Sequence, residues 1–210
     1  MTEVLRTVRL VLHPVSMRDH RALLTHWTGP LVRRHLFDDR MVTPVQVSEI
    51  IEASERDFAT EGYGLWALRP ARWSAGVDDP VPGDPLVGVA GLSHHEGPLG
   101  HGVDVEILYS LEPDHWGQGL AAEASRAVLD YAFGVVGVHR ITAEIDTANA
   151  ASAEIALQLG MRRWRDGPPV RTAPPITRPT GRAGSDPVEL STRSHRFRCQ
   201  RLILVPNTAV

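Results

Sequence analysis

The most constraining feature of this 210-residue sequence is a glycine turn between a strand pattern and a helix pattern. Residues 105–111 are mostly apolar and rich in strand formers. Helical periodicity predicts a helix from Gly117 to about Val135, with Gly117-Gln118-Gly119 as its first turn. The first-turn amides of an α-helix have no intrahelical partner, and the helix dipole is positive at that end. Glycine also lets the backbone come close to a bound group. This order of elements therefore predicts a loop that binds a phosphate group.

Two common nucleotide-binding loops are excluded by the residues around the turn. No Gly-Lys-Ser/Thr triplet follows it, and its glycines lack the spacing of a dinucleotide-binding loop. A second strand pattern, at residues 139–146, follows the predicted helix. Asn149 is then predicted to cap a further helix that ends at Gly160. The two successive strand–helix units strengthen the prediction of a phosphate site.

Periodicity in the rest of the chain predicts a mixed α/β sheet with helices on both faces. Alternation over residues 6–14 predicts a first strand, and caps at Ser16 and Thr43 predict two helices. Residues 31–41 are compatible with either a short helix or an irregular loop. Further strands are predicted at residues 65–68, 86–93, 103–111, 139–146 and 197–205.

Length and composition favour a single domain over residues 1–210. The hydrophobic fraction of 42% is enough for a sizeable core. Proline, glycine and aspartate predict an exposed loop at residues 70–85, inserted between strands. Residues 165–192 hold six prolines and no apolar periodicity, so a long loop is predicted there. A loop of that length in a compact domain is a candidate substrate lid.

The sequence also limits compartment and metal chemistry. It has no run of about 18 apolar residues that could cross a membrane, and residues 1–10 lack the apolar core of a signal peptide. A cytoplasmic protein without a membrane partner is therefore expected. Cys199 is the single cysteine, which excludes an internal disulfide and any multi-cysteine metal site. No metal site is expected.

Charge is distributed unevenly along the chain, which contains no lysine. Residues 1–160 carry 12 arginines against 22 acidic residues, whereas residues 161–210 carry 10 arginines against three. An acidic body favours a cationic substrate, although solvated surface charge explains the same pattern. Nucleic-acid binding is disfavoured because aromatic residues are sparse in the arginine-rich part. The oligomeric state is not determined by the sequence, and a homodimer stays open.

The glycine turn and its surroundings resemble the acyl-CoA-binding core of the GNAT superfamily of N-acetyltransferases. The family's phosphate signature is Gln/Arg-x-x-Gly-x-Gly/Ala, and tryptophan takes the first place here. The resemblance covers most of residues 6–163. The matching segments are Trp116-Gly117-Gln118-Gly119-Leu120-Ala121, Tyr131-Ala132-Phe133, His139-Arg140, Asn149-x-x-Ser152 and Leu159-Gly160-Met161.

Two details are similar to one branch of this superfamily, which contains the ribosomal-protein N-terminal acetyltransferases. The first is the tryptophan variant of the signature, followed by Ala122-Glu123-Ala124. The second is the opening Thr7-Val8-Arg9-Leu10-Val11-Leu12, although the branch usually continues with arginine where this chain has His13. The resemblance is specific for fold and cofactor and weak for the substrate.

The resemblance implies a fold and a cofactor site. The expected fold is a single-domain, mixed and mostly antiparallel central sheet with helices on both faces. A V-shaped split is expected between the fourth and fifth strands, and acetyl-CoA as cosubstrate would place its pantetheine arm there. The implied cofactor-binding residues are Leu108, Tyr109, Ser110 and Leu111 through their backbone, Trp116, Gly117, Gln118, Gly119, Leu120 and Ala121 around the pyrophosphate, and Asn149 and Ser152 opposite.

The implied reaction is direct transfer of the acetyl group to a primary amine in a ternary complex. The acceptor is either a protein N-terminus or a small amine. Glu106 is the candidate base, or alternatively a carboxylate that only binds or orients the amine. A backbone amide near Leu108 would stabilise the oxyanion.

The proton donor is less clearly implied. The family often has a tyrosine acid seven residues after the asparagine, and this chain has Ala156 there. Ser152 is the nearest substitute, unless it only completes the helix cap at Asn149. The missing tyrosine leaves open a second function, a non-catalytic acyl-CoA-binding or regulatory module.

Overall fold

The computed structural model describes residues 3–37, 39–71, 85–96, 103–163 and 199–204. The strands are β1 (Leu5–Arg6), β2 (Leu10–Pro14), β3 (Leu65–Pro70), β4 (Gly88–Glu96), β5 (Val103–Leu111), β6 (Ile141–Asp146), β7 (Arg162–Arg163) and β8 (Cys199–Leu204). The α-helices are α1 (His20–Thr28), α2 (Pro30–Leu36), α3 (Pro44–Thr60), α4 (Leu120–Tyr131) and α5 (Ala150–Gln158). Short 3₁₀ turns at Met17–Asp19 and Pro113–His115 precede α1 and the glycine turn.

All these strands form one sheet in the order β1-β2-β3-β4-β5-β6-β8-β7. Neighbouring strands are antiparallel except β5 and β6, which are parallel. These two pair at only two positions, Val105 with Ile141 and Glu106 with Thr142, and then diverge. The predicted mixed sheet is therefore confirmed. So is the V-shaped split between the predicted fourth and fifth strands, which are β5 and β6 in the structure.

Helices cover both faces of the sheet, as predicted. Successive side chains of a strand point to opposite faces, and β3 illustrates this. Trp66 and Leu68 join a core cluster with residues of α4 and α5. Leu65 and Ala67 join a second cluster with residues of α1, α2 and α3. The sheet is thus a middle layer that holds two groups of helices apart.

Local capping signals explain where helices begin. At the start of α3, the Thr43 hydroxyl accepts a hydrogen bond from the amide of Gln46, whose side chain accepts one from the amide of Thr43. At α5, the side-chain oxygen of Asn149 accepts from the amide of Ser152. Of residues 31–41, for which a short helix and an irregular loop were both possible, residues 31–36 are helical and belong to α2. This helix has Pro30 in its first turn.

Several predicted boundaries differ from the structure. The first strand, predicted over residues 6–14, is two antiparallel strands, β1 and β2, because the chain turns between Arg6 and Leu10. The helix expected from Gly117 begins at Leu120, because Gly117 and Gly119 have φ of 71° and 74°, values outside the right-handed helical region. Its last part, Ala132–Val136, is a π-helix. The loop predicted at 165–192 lies outside the described residues, as does that at 70–85 apart from its ends. In the parts of the chain that are described, no helix is long and apolar enough to cross a bilayer.

Candidate functional site

The split between β5 and β6 opens into a cavity of about 800 Å³. Its walls come from both strands, from α2, from the glycine turn and from the first turns of α4 and α5. This volume lies within the range of about 300–1,000 Å³ that is usual for small-molecule sites. All the site residues predicted from the sequence line the cavity, with the exception of Gln118.

One wall of the cavity is an unpaired strand edge. After Glu106, β5 continues to pair with β4, but β6 has turned away, so the other edge of residues 107–111 faces the cavity. Backbone groups along such an edge can bind an extended ligand. Close packing of β4 supports this wall: a Cβ at Gly88 would lie 2.2 Å from the carbonyl oxygen of Ser110. Only glycine fits there.

The glycine turn forms one end of the cavity. The positive φ of Gly117 and Gly119 turns the chain from the 3₁₀ segment into α4, whose first residues Leu120 and Ala121 line the cavity. Trp116 is 47% exposed, and its indole N–H donates to the carbonyl of Leu111 at 2.8 Å. The turn therefore presents the N-terminus of a twelve-residue helix to the cavity.

Gln118 is not among the residues that line the cavity, and its side chain and carbonyl have partners within the protein. Its side-chain amide donates to the carbonyl of Asp114 at 3.0 Å. Its own carbonyl accepts a hydrogen bond from the guanidinium of Arg9 at 2.8 Å. Arg9 lies 109 residues earlier in the chain, and no local signal identified it as a neighbour of the turn.

Glu106 lies at the vertex of the split. It is the second and last residue of β5 that pairs with β6, and it is 8% exposed. Its Oε1 accepts a hydrogen bond of 3.0 Å from the amide of Glu144 on β6. The carboxylate therefore satisfies a β6 amide just beyond the last paired position, and this contact fixes its orientation at the cavity wall.

Tyr109 connects the two sides of the split. Its hydroxyl donates to the carbonyl of Ser152 at 2.8 Å, which joins β5 to the first turn of α5. Burial raises the pKa of Tyr109 above its ordinary value, so the hydroxyl stays protonated at neutral pH. The cap of α5 uses the backbone N–H of Ser152, not its hydroxyl. Both Asn149 and Ser152 lie at this wall.

The wall formed by α2 was missed by sequence reasoning. Leu31, Arg34 and His35 line the cavity. His35 Nδ1 lies 3.6 Å from Oδ2 of Asp146, at the end of β6. Proline after Gly29 was the available signal for this helix, since proline is frequent in a first helical turn.

A polar network centred on buried His26 supports β5 from the side of α1. His26 is 1% exposed, with Nδ1 3.0 Å from a carboxylate oxygen of Glu112 and Nε2 2.8 Å from the hydroxyl of Ser110. Burial lowers the pKa of His26 below its ordinary value, and the Glu112 carboxylate offsets only part of this effect. Because a carboxylate only accepts, neutral His26 donates from Nδ1 and accepts the Ser110 hydroxyl proton at Nε2.

Comparison with known proteins agrees with this architecture. The model of the acetyltransferase (GNAT) domain family matches residues 9–162. An uncharacterised N-acetyltransferase of Bacillus licheniformis, p20, is 27% identical over 161 residues, which cover 77% of this chain and 83% of the relative.

Two solved structures have a similar fold. A spermidine N-acetyltransferase from Vibrio cholerae, in complex with CoA and spermine, has a TM-score of 0.61 and 14% identity over 95% of this chain and 96% of its own. RimL, a ribosomal L7/L12 α-N-protein acetyltransferase in complex with CoA, has a TM-score of 0.63 and 12% identity over 97% and 98%. At these identities the likeness concerns the fold alone.

Proposed function

Because this chain belongs to the GNAT acetyltransferase family, we propose that it transfers the acetyl group of acetyl-CoA directly to a primary amine. One observation carries the proposal: a single cavity joins a helix N-terminus at the glycine turn to the carboxylate of Glu106, along an unpaired strand edge. Bound acetyl-CoA would supply the activated acetyl thioester.

The chemistry of the walls fits an acyl-CoA. First-turn amides from Gly119 to Ala121 can hold a pyrophosphate, which the helix dipole also favours. The free edge of residues 107–111 can bind the amide groups of a pantetheine arm through its backbone. Asn149 faces this edge from the opposite side of the cavity. A backbone amide near Leu108 is our candidate for the oxyanion donor.

Glu106 is our proposed proton acceptor. An alkyl ammonium has a reference pKa of about 10.4 and a terminal α-ammonium one of about 8, so the amine must lose a proton before or during attack. The amide of Glu144 binds one carboxylate oxygen and thereby orients the group. A carboxylate in this orientation can take the proton directly or through a water molecule.

Ser152 is our proposed donor toward the leaving thiolate. Its hydroxyl is not used in the cap of α5, and the residue lies at the cavity wall. The position seven residues after Asn149 is Ala156, which is buried in the core and has no hydroxyl to donate. A thiol has a reference pKa of about 8.5, and a weak donor is therefore sufficient.

The acceptor half of the cavity favours a cationic amine. Three acidic residues line it, namely Glu106, Glu144 and Asp146. The basic residues there are Arg34 and His35 from α2. Both acceptor classes, a small amine and a protein N-terminus, carry an ammonium group. The relatives of known structure include one enzyme of each class by name.

A pair of measurements tests the proposal. CoA binding is followed by calorimetry, and thiol release from acetyl-CoA is followed over a panel of small amines, polyamines and peptides with free N-termini. Turnover with at least one amine supports the enzyme. Tight CoA binding without turnover on any amine would favour the non-catalytic acyl-CoA-binding module.

A further inference from the structure

The first turn of α4 contains a charge that opposes an anionic ligand. Glu123 lies in that turn, four residues after Gly119. Burial alone would raise the pKa of its carboxyl, but hydrogen bonds from Thr7 and Arg9 and the charge of Arg9 together lower it. Glu123 is therefore ionised at neutral pH. An uncompensated carboxylate at this place would repel a pyrophosphate bound at the same helix end.

Arg9 compensates this charge. Its Nε donates to Oε2 of Glu123 at 2.7 Å, and its Nη2 lies 2.6 Å from the same oxygen. The backbone amide of Arg9 donates to Oε1 at 2.9 Å. Both carboxylate oxygens are thus bound by one residue from the segment between β1 and β2.

The same guanidinium also holds the glycine turn. Nη1 of Arg9 donates to the carbonyl of Gln118 at 2.8 Å. In a trans peptide the C=O and the following N–H point in opposite directions, and no cis peptide occurs among the described residues. Arg9 therefore directs the N–H of Gly119 away from itself, toward the cavity that Gly119 lines.

A turn with two glycines needs such a contact. Glycine reaches many backbone conformations, so Gly117 and Gly119 by themselves leave the peptide planes of the turn poorly determined. The planar fork of arginine can bind a carboxylate and a carbonyl at the same time, which a lysine ammonium does with less geometric control.

We infer that Arg9 is a positioning residue for the acyl-CoA pyrophosphate: it neutralises Glu123 and orients the Gly119 amide. This inference rests on the proposed function. Arg9 acts through these two groups, and it does not itself line the cavity.

The test compares two thioesters in the full-length protein. Acetyl-CoA carries the pyrophosphate, whereas acetyl-pantetheine lacks it. For Arg9→Met we expect the Kd of CoA, measured by calorimetry, to rise about 10–100-fold, the range for loss of charge-assisted hydrogen bonds. The kcat/KM for acetyl-CoA falls by the same factor, while that for acetyl-pantetheine changes less than about twofold.

Three further variants separate the two contributions. Arg9→Lys keeps the charge but loses the fork, so its Kd lies between those of wild type and Arg9→Met. Arg9→Met/Glu123→Gln recovers part of the lost affinity because the repulsive charge is gone. Arg126→Met is the control: it removes a cation from an exposed position of α4. The guanidinium of Arg126 contacts the carbonyl of Gln158, and its loss should leave the Kd of CoA within about twofold.

The outcomes distinguish the inference from the proposed function. If wild-type protein does not bind CoA, the proposed function fails. If wild type binds and Arg9→Met binds equally well, the inference is overturned. Equal losses for acetyl-CoA and acetyl-pantetheine also overturn it, since Arg9 would then act only on the fold. If the double variant binds CoA no more tightly than Arg9→Met, the proposed contribution of the Glu123 charge is overturned.

Discussion

The two ends of the cavity are built differently. The glycine-turn end comes from one contiguous segment, from the 3₁₀ turn Pro113–His115 to the first turn of α4. Glycine permits the positive φ of this turn, and Arg9 is its one partner from a distant segment that the hydrogen bonds of the turn show among the described residues. The Glu106 end is assembled from α2, β5 and β6, segments that are far apart in the chain. The first end offers mainly backbone amides and the second mainly side chains.

This difference separates a general binding element from a specific one. Backbone amides at a helix N-terminus bind a phosphate in many side-chain contexts. Side chains on three separate elements can change one at a time, and under the proposed function they would determine which amine fits. Changes at the two ends should therefore have separable effects on cofactor and acceptor, and the following predictions test this, from the largest expected effect to the smallest.

Glu106→Gln should reduce kcat by roughly 100-fold or more, because general base catalysis typically contributes factors of that size. The glutamine oxygen can still accept the amide of Glu144, so the Kd of CoA should stay within about twofold of wild type. Glu154→Gln serves as the control, because Glu154 is an exposed acidic residue that also lines the cavity. This variant should keep the kcat of the wild type. An unchanged kcat in Glu106→Gln would remove this residue from the mechanism.

Gly119→Ala should weaken the other end. A left-handed conformation costs a non-glycine residue about 1–2 kcal/mol, whereas a Cβ here would make only an ordinary contact, 3.7 Å from Nη2 of Arg9. We expect the Kd of CoA to rise roughly tenfold, corresponding to about 1.4 kcal/mol, with the amine preference unchanged. Gly134→Ala is the matched control, since a Cβ there meets no atom within 4 Å and φ lies outside the left-handed region. Equal Kd values for the two variants would contradict the requirement for glycine in the turn.

His35→Ala should affect only the acceptor end. The approach of His35 to Asp146 joins α2 to β6. Partly exposed pairs of this kind contribute about 0.2–1 kcal/mol, and without it α2 is held less firmly against β6, so the KM of the amine should rise roughly 1.4- to fivefold. Steady-state kinetics at saturating acetyl-CoA measures this effect. A change in the KM of acetyl-CoA of the same size would mean that the two ends are coupled.

The His26 network predicts a pH effect on stability. The pKa of His26 is lowered in the folded state, so the unfolded chain, with an ordinary value of about 6.5, binds more protons as the pH falls below 6.5. The free energy of unfolding of the wild type should therefore decrease below pH 6.5. Denaturant titrations between pH 5 and 8 should give a shallower decrease for His26→Gln. Parallel curves for the two proteins would show that His26 does not titrate in this way.

Most of the fold could be predicted because its signals are local. Strand β5 has the predicted bounds, the capping box at Thr43 and Gln46 begins α3, and Asn149 caps α5. Each of these signals depends on residues within about four positions along the chain. The start of α4 was predicted three residues too early, because the pattern did not show that Gly117 and Gly119 both take positive φ.

The candidate site could be predicted in part. The strand edge and the helix N-terminus were expected from the motif around the glycine turn, and they line one cavity. Gln118 was also expected among the cofactor-binding residues. It is not among the residues that line the cavity, its side chain and carbonyl bind Asp114 and Arg9, and its role toward the cofactor stays a prediction. The roles of Glu106 and Ser152 stay predictions that the kinetic experiments address.

The sequence by itself determined the strand β5, the presence of a glycine turn and the helix that follows it, because alternation and helical periodicity act over a few residues. Only the tertiary structure decided which distant side chains complete the site. Arg9 reaches Glu123 across 114 positions, and His26 reaches Ser110 across 84. Such contacts follow from the order of strands in the sheet and the packing of helices on its faces, and no local pattern of residues specifies them.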